Sequence, residues 1–232
     1  ERCVMVASLR VSDSIAEHAL GDFLDEHFYE VLHRQDAAFE YERVRDRNRQ
    51  LRGMDVIVNY HDNHIVIDEK AALHWINQDL RTFSFELSSL QSGHRDSVPG
   101  WLYNSNAETN RYLLMWIKAW DVRTKQLKKI PLGEMTPDNF KEVECVLVER
   151  SKVQRYLNRC GWSEALLMER AEEIRRTPNS KQLLGTSNSL IRFAFSGKLR
   201  EQPVNVLIER DVLKAMALHV YTVTSAGIES VS

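Results

Sequence analysis

The chain has 232 residues, with 31 Lys plus Arg against 33 Asp plus Glu, a formal net charge of -2, 43% hydrophobic and 28% charged residues. That is the make-up of one globular domain with a sizeable core, and it excludes a disordered chain or a nonspecific binder driven by global charge. No apolar run approaches the roughly 20 residues needed to cross a bilayer, so no membrane partner is expected. The three cysteines (Cys3, Cys145, Cys160) are odd in number and lack paired spacing, which points to a reducing, cytoplasmic compartment.

Ser14-Ile15-Ala16-Glu17 reads as a capping box opening a helix, with Ile15, Ala19, Phe23, Leu24, Phe28 and Val31 on one stripe. Residues 39–44 are predicted as a strand and 46–52 as a polar turn. Two short apolar runs follow, Val56-Ile57-Val58 and Ile65-Val66-Ile67, joined by a polar turn; they read as a hairpin. Residues 71–80 form a short helix or an irregular excursion. Residues 81–87 alternate strictly and predict a third strand, with Phe83 and Phe85 facing one way and Thr82, Ser84 and Glu86 the other. A polar loop over 91–100 precedes a continuous apolar run, 111–120, read as a buried strand.

Further along, 143–149 is a strand, and Ser151 caps a helix that ends near Cys160-Gly161. Ser163 begins a second helix that stops before Thr177-Pro178. Residues 179–189 read as a linker-like loop, 191–195 and 204–209 as strands, and Asp211 as the cap of a last helix. A helix, a run of strands, then mixed elements predicts an α/β protein with a central mixed β-sheet flanked by helices. It is read as one domain over 1–232, with a core at about 14–120 and extra C-terminal helices and strands over 121–232.

Several chemical signatures are absent. There is no GxGxxG fingerprint, no phosphate loop, no GxSxG elbow and no CxxC pair. His61 and His64 flank a turn, where they are exposed loop residues or, less simply, metal ligands. Arg43, Arg45, Arg47 and Arg49 recur every second residue. If extended, they line one face that suits a phosphate backbone; a charged edge segment that resists aggregation fits equally. Trp101, Trp116 and Trp120 belong to the core or to an interface.

What remains is a constellation of acids with a lysine. Asp55 opens one hairpin strand and Asp68-Glu69-Lys70 close the other. Asp68 and Lys70, two apart on a strand, share a face, and Asp55 approaches both if the strands pair. Two carboxylates beside an ammonium are costly to bury unless chemistry such as a divalent ion justifies them. The bland reading is a charged strand end, but strands apolar on both faces are central in a sheet, where unpaired carboxylates are rare. Glu17 is either a capping carboxylate or a further acid from the first helix; Asp22 and Asp25 stand on the same helix.

Asp55 followed by Asp68-Glu69-Lys70, with a helix ahead of the first acid strand, resembles the PD-(D/E)xK nuclease superfamily. The run from Gly53 to Ala71, with Thr82-Phe83-Ser84-Phe85-Glu86, is similar to uncharacterised bacterial proteins placed there, and the likeness covers about residues 14–120. Met54 stands where that family often has Pro. The resemblance implies a restriction-endonuclease-like core and a hydrolase that cleaves phosphodiester bonds in nucleic acid, DNA ahead of RNA. It implies Mg²⁺ or Mn²⁺ held by Asp55, Asp68 and the main-chain carbonyl of Glu69, whose side chain turns the other way. Lys70 orients or deprotonates the attacking water or steadies charge on the phosphorus oxygens; Glu86, which shares a face with Thr82 and Ser84, is either a further ligand of metal or water or a simple inward polar contact. The alternative is a catalytically inactive nuclease fold kept to bind nucleic acid or protein. The oligomeric state stays open, a homodimer included.

Overall fold

The computed structural model describes residues 2–91, 96–177, 184–185 and 190–230. The chain opens with a long helix, α1 (Arg2–Leu24), which passes through a π-helical turn (Asp25–Tyr29) into α2 (Glu30–Gln35). The capping-box reading is corrected: Ser14 lies mid-helix, and its hydroxyl pairs with His18 Nδ1 at 3.3 Å. The backbone ahead of it is already helical, so no free N–H groups are left there to cap. The buried stripe is Ala16, Ala19, Leu20, Phe23, Leu24 and Phe28, whereas Ile15 is exposed.

Three strands follow, β1 (Phe39–Arg43), β2 (Val56–Tyr60) and β3 (Asn63–Ala71), with a one-turn helix, α3 (Arg47–Gln50), between the first two. Asp46 caps α3 by accepting from Arg49 N at 2.9 Å. The 71–80 segment is irregular with one 3₁₀ turn, Leu73–Trp75. Then come β4 (Thr82–Leu90), β5 (Ser97–Pro99), β6 (Arg111–Ala119) and β7 (Phe140–Glu149). The C-terminal part carries α4 (Arg150–Arg159), α5 (Glu164–Arg176), β8 (Arg192–Phe195), β9 (Val204–Glu209), α6 (Arg210–Met216), β10 (His219–Thr224) and β11 (Gly227–Ser230). Most of the expected 179–189 loop lies outside the described residues, as do 92–95.

The helix boundaries follow local chemistry. Ser163 caps α5 through Leu166 N at 3.3 Å. Gly161, at φ 85°, takes the left-handed turn that ends α4. Ser151 and Asp211 are not caps; Glu149 and Glu209 hold those positions. β7 and β9 run straight into their helices, so the chain turns at the last strand residue and each expected cap falls two positions later, inside the first turn.

The strands form two sheets. The larger, a curled mixed sheet, has the order β1-β2-β3-β6-β7-β10-β11. Its one parallel pair among the described strands is β3 with β6, registered Asp68 to Tyr112 and Lys70 to Leu114. The smaller, antiparallel, has the order β5-β4-β9-β8. The strand predicted over 81–87 therefore leaves the hairpin that precedes it and pairs with β9 instead, Phe83 opposite Ile208 and Phe85 opposite Val206.

β6 sits at the middle of the layering. Leu113, Met115 and Ile117 pack with Phe23, Leu24 and Phe28 on the α1 side. Tyr112, Leu114 and Trp116 pack with Phe83, Phe85, Val206 and Ile208 of the small sheet and with Leu157 and Leu167 of α4 and α5. The continuous apolar run thus reflects a strand buried on both faces. Trp116 is core, and its indole N–H donates to the Leu80 carbonyl at 3.0 Å.

Candidate active site at the open edge of β3

β2 and β3 pair from Tyr60 with Asn63 up to Val56 with Ile67. One more bond, Asp55 N–H to the Ile67 carbonyl at 2.9 Å, closes the ladder. Beyond it β3 keeps, among the described strands, only β6 as a neighbour, so residues 68–71 form an open strand edge with Asp55 at its corner. The Glu69 N–H, which would have bonded a continuing β2, donates instead to Asp55 Oδ2 at 2.8 Å. The N–H and C=O of one strand residue point to the same edge, so the Glu69 carbonyl also faces this gap.

Asp68 and Lys70 project together toward the small sheet. Asp68 is 3% exposed, and Lys70 Nζ donates to its Oδ1 at 2.5 Å. Asp55 is half-buried, with the Asp68 carboxyl within hydrogen-bonding reach. The acid–lysine constellation expected from the sequence therefore converges. Burial and the adjoining Asp68 push the Asp55 carboxyl up to about 8, against the pull of Lys70. Burial pulls Lys70 down, but Asp68 and Asp55 outweigh it and leave its affinity for the proton raised. Lys70 thus holds its charge at neutral pH and is suited to electrostatic stabilisation rather than to proton abstraction.

The groups around Lys70 come from separate segments. Lys70 Nζ lies 5.4 Å from the centre of the Trp101 ring, a cation–π distance. Gly53, at φ 73°, passes so close that a Cβ there would collide with Thr109 Oγ1, itself donating to the Gly53 carbonyl at 2.7 Å. Gly100 lies against the Glu86 backbone, where a side chain would not fit. Glu86 is half-buried, accepts from Ser89 Oγ at 3.2 Å and feels the Lys70 charge; burial raises its pKa. Glu17 of α1 is exposed and also within electrostatic reach of Lys70. Trp101 and Thr109 carry no local signature of this role, because it arises only when the 100–110 segment packs beside Gly53 and Lys70.

Glu69 turns to the opposite face. Its carboxylate takes both terminal nitrogens of Arg43, at 2.8 and 3.1 Å, and the Tyr29 hydroxyl at 2.8 Å. Arg43 Nε also donates to Asp25 Oδ1 at 2.6 Å. The four-arginine face is thereby corrected. Arg43 is committed to this cluster, Arg45 and Arg47 are exposed, and Arg49 pairs with Glu42 at 2.7 Å. The extended alternation breaks at Asp46, whose capping of α3 turns the chain into a helix, where a spacing of two no longer means one face. His61 and His64 are exposed in the β2–β3 turn; His61 takes a φ of 52°, and His64 Nδ1 pairs with Asn59 at 2.9 Å.

Among the described residues, no group of three or more His, Cys, Asp or Glu side chains is arranged as a metal site. Two carboxylates do meet at the gap, on the edge of β3 that the Glu69 carbonyl faces. All three donors are oxygens, the kind a hard cation takes, and positive charge would relieve the crowding that raises Asp55. The donor set therefore fits a magnesium-like ion with water completing its shell. No helix is long and apolar enough to cross a membrane among the described residues. The chain matches no family model, no curated protein and no solved structure.

Proposed function

We propose that the protein is a metal-dependent nuclease with a restriction-endonuclease-like core, hydrolysing phosphodiester bonds in DNA in the cytoplasm. The observation that carries this reading is the meeting of Asp55, Asp68 and Lys70 at the corner where β2 leaves β3. α1 ahead of the hairpin and the parallel β3–β6 pair support the core assignment.

Asp55, Asp68 and the Glu69 carbonyl would hold Mg²⁺ or Mn²⁺. When bound, the ion polarises the phosphate and makes its water a stronger nucleophile. Lys70 keeps its ammonium beside the carboxylates and faces charge that grows on the phosphate oxygens. Trp101 sets the face of its ring beside that ammonium, at 5.4 Å. Glu86 would orient water from the small-sheet side, a role its hydrogen bond to Ser89 leaves open through the second carboxylate oxygen.

The test is incubation of the protein with linear, circular and single-stranded DNA and with RNA, in Mg²⁺, Mn²⁺ or EDTA, alongside Asp68→Asn. Cleavage that needs metal and disappears in the variant is expected. Intact substrates under every condition, or cleavage that survives EDTA or the variant, would remove the assignment.

A further inference from the structure

We propose that Arg43 is a positioning residue, which grips the Glu69 side chain from the far face of β3 and thereby sets the Glu69 peptide in the metal-facing gap. This rests on the metal reading above. The ladder that would normally fix this stretch of β3 stops at Ile67, leaving residues 68–71 supported along one edge only. Residue 69 is instead held at two ends. Its N–H is tied to Asp55 Oδ2 at 2.8 Å, and its carboxylate is forked by Arg43 at 2.8 and 3.1 Å.

The fork is itself fixed. Tyr29, fully buried, donates to Glu69 at 2.8 Å, and Asp25 accepts from Arg43 Nε at 2.6 Å. Asp25 and Tyr29 are the first and last residues of the π-helical turn. Such turns are rare in helices and recur at functional sites. Four positions apart, the two side chains share a face of the helix and reach successive members of a single cluster. A bidentate guanidinium–carboxylate pair has little angular freedom, which suits a part that must fix a backbone position. Arg43 touches neither substrate nor metal in this scheme.

The clamp is tested apart from the fold by two variants. Glu69→Gln keeps an amide oxygen for Tyr29 and leaves Arg43 with Asp25. Arg43→Met with Glu69→Gln and Asp25→Asn removes all three charges together, so none is stranded in the interior. Titration calorimetry with Mn²⁺, read beside the melting temperature, decides the matter. Wild type should bind Mn²⁺. Both variants should melt within a few degrees of wild type yet bind Mn²⁺ about tenfold more weakly, the lower end of what an outer-shell change costs. Wild-type affinity in both variants would overturn the clamp while leaving the metal site standing. Unfolding of both would make the cluster structural and overturn it equally. No Mn²⁺ heat with the wild type would sink the metal reading and the clamp together.

Discussion

At the scale of single residues, Asp55 is the group whose surroundings say most. Its carboxyl is pushed up to about 8 by burial and by Asp68, from an ordinary value of 3.8. The folded chain then holds a proton that the unfolded chain has lost, between about pH 4 and 8. The slope of stability with pH follows the protons bound in the unfolded state minus those in the folded state, which is negative here. This group's contribution therefore favours the fold at low pH and fades as pH rises through that window. Binding of a cation must displace the same proton. Mn²⁺ titrations at pH 6.5 in buffers of different ionisation heat should show close to one proton released, and affinity should rise toward pH 8 and then level off. Affinity flat across that range would mean that Asp55 is not a ligand. Asp55, Asp68 and Lys70 were legible because a strand's alternation fixes which side chains share a face. The second role of Glu69 was half legible: its direction follows from the same alternation, but its Arg43, Tyr29 and Asp25 partners come from other elements.

At the scale of elements, β6 is the member on which both layers depend. Leu114 is fully buried between it and the small sheet. Leu114→Ala should cost about 2–5 kcal/mol, the range for truncating a core leucine, read from urea unfolding. A loss well under 1 kcal/mol would contradict the two-faced burial of the strand. The sequence announces β6 by its unbroken apolar run and β4 by its alternation, since both patterns are local. It does not announce which sheet β4 joins, because its partner β9 lies more than a hundred positions away. β10 and β11 escaped the sequence reading altogether. They are short and mostly half-exposed, with polar residues such as Thr222 and Glu229, so no clean period marks them. The Ser14–Glu17 signal misled because a capping box is a local pattern, whereas a helix start also needs free N–H groups at that point.

At the scale of the molecule, the site draws on the curled sheet, the small sheet and α1. Asp55 and Asp68 belong to the large sheet, Glu86 to the small one and Glu17 to the helix layer. Lys70 is the group that all of them feel. Its side chain is 29% exposed against 4% for Asp68, so it is the more accessible of that pair for an arriving phosphate. Charge acts here locally: a chain of net charge -2 concentrates one ammonium among several carboxylates. The most direct measurement is to follow Lys70→Met in two ways at once, by Mn²⁺ affinity and by the rate of DNA cleavage. The account predicts Mn²⁺ bound at least as tightly as by the wild type, because a competing positive charge is gone, with cleavage slowed by about a hundredfold or more. Cleavage at the wild-type rate in that variant would contradict it.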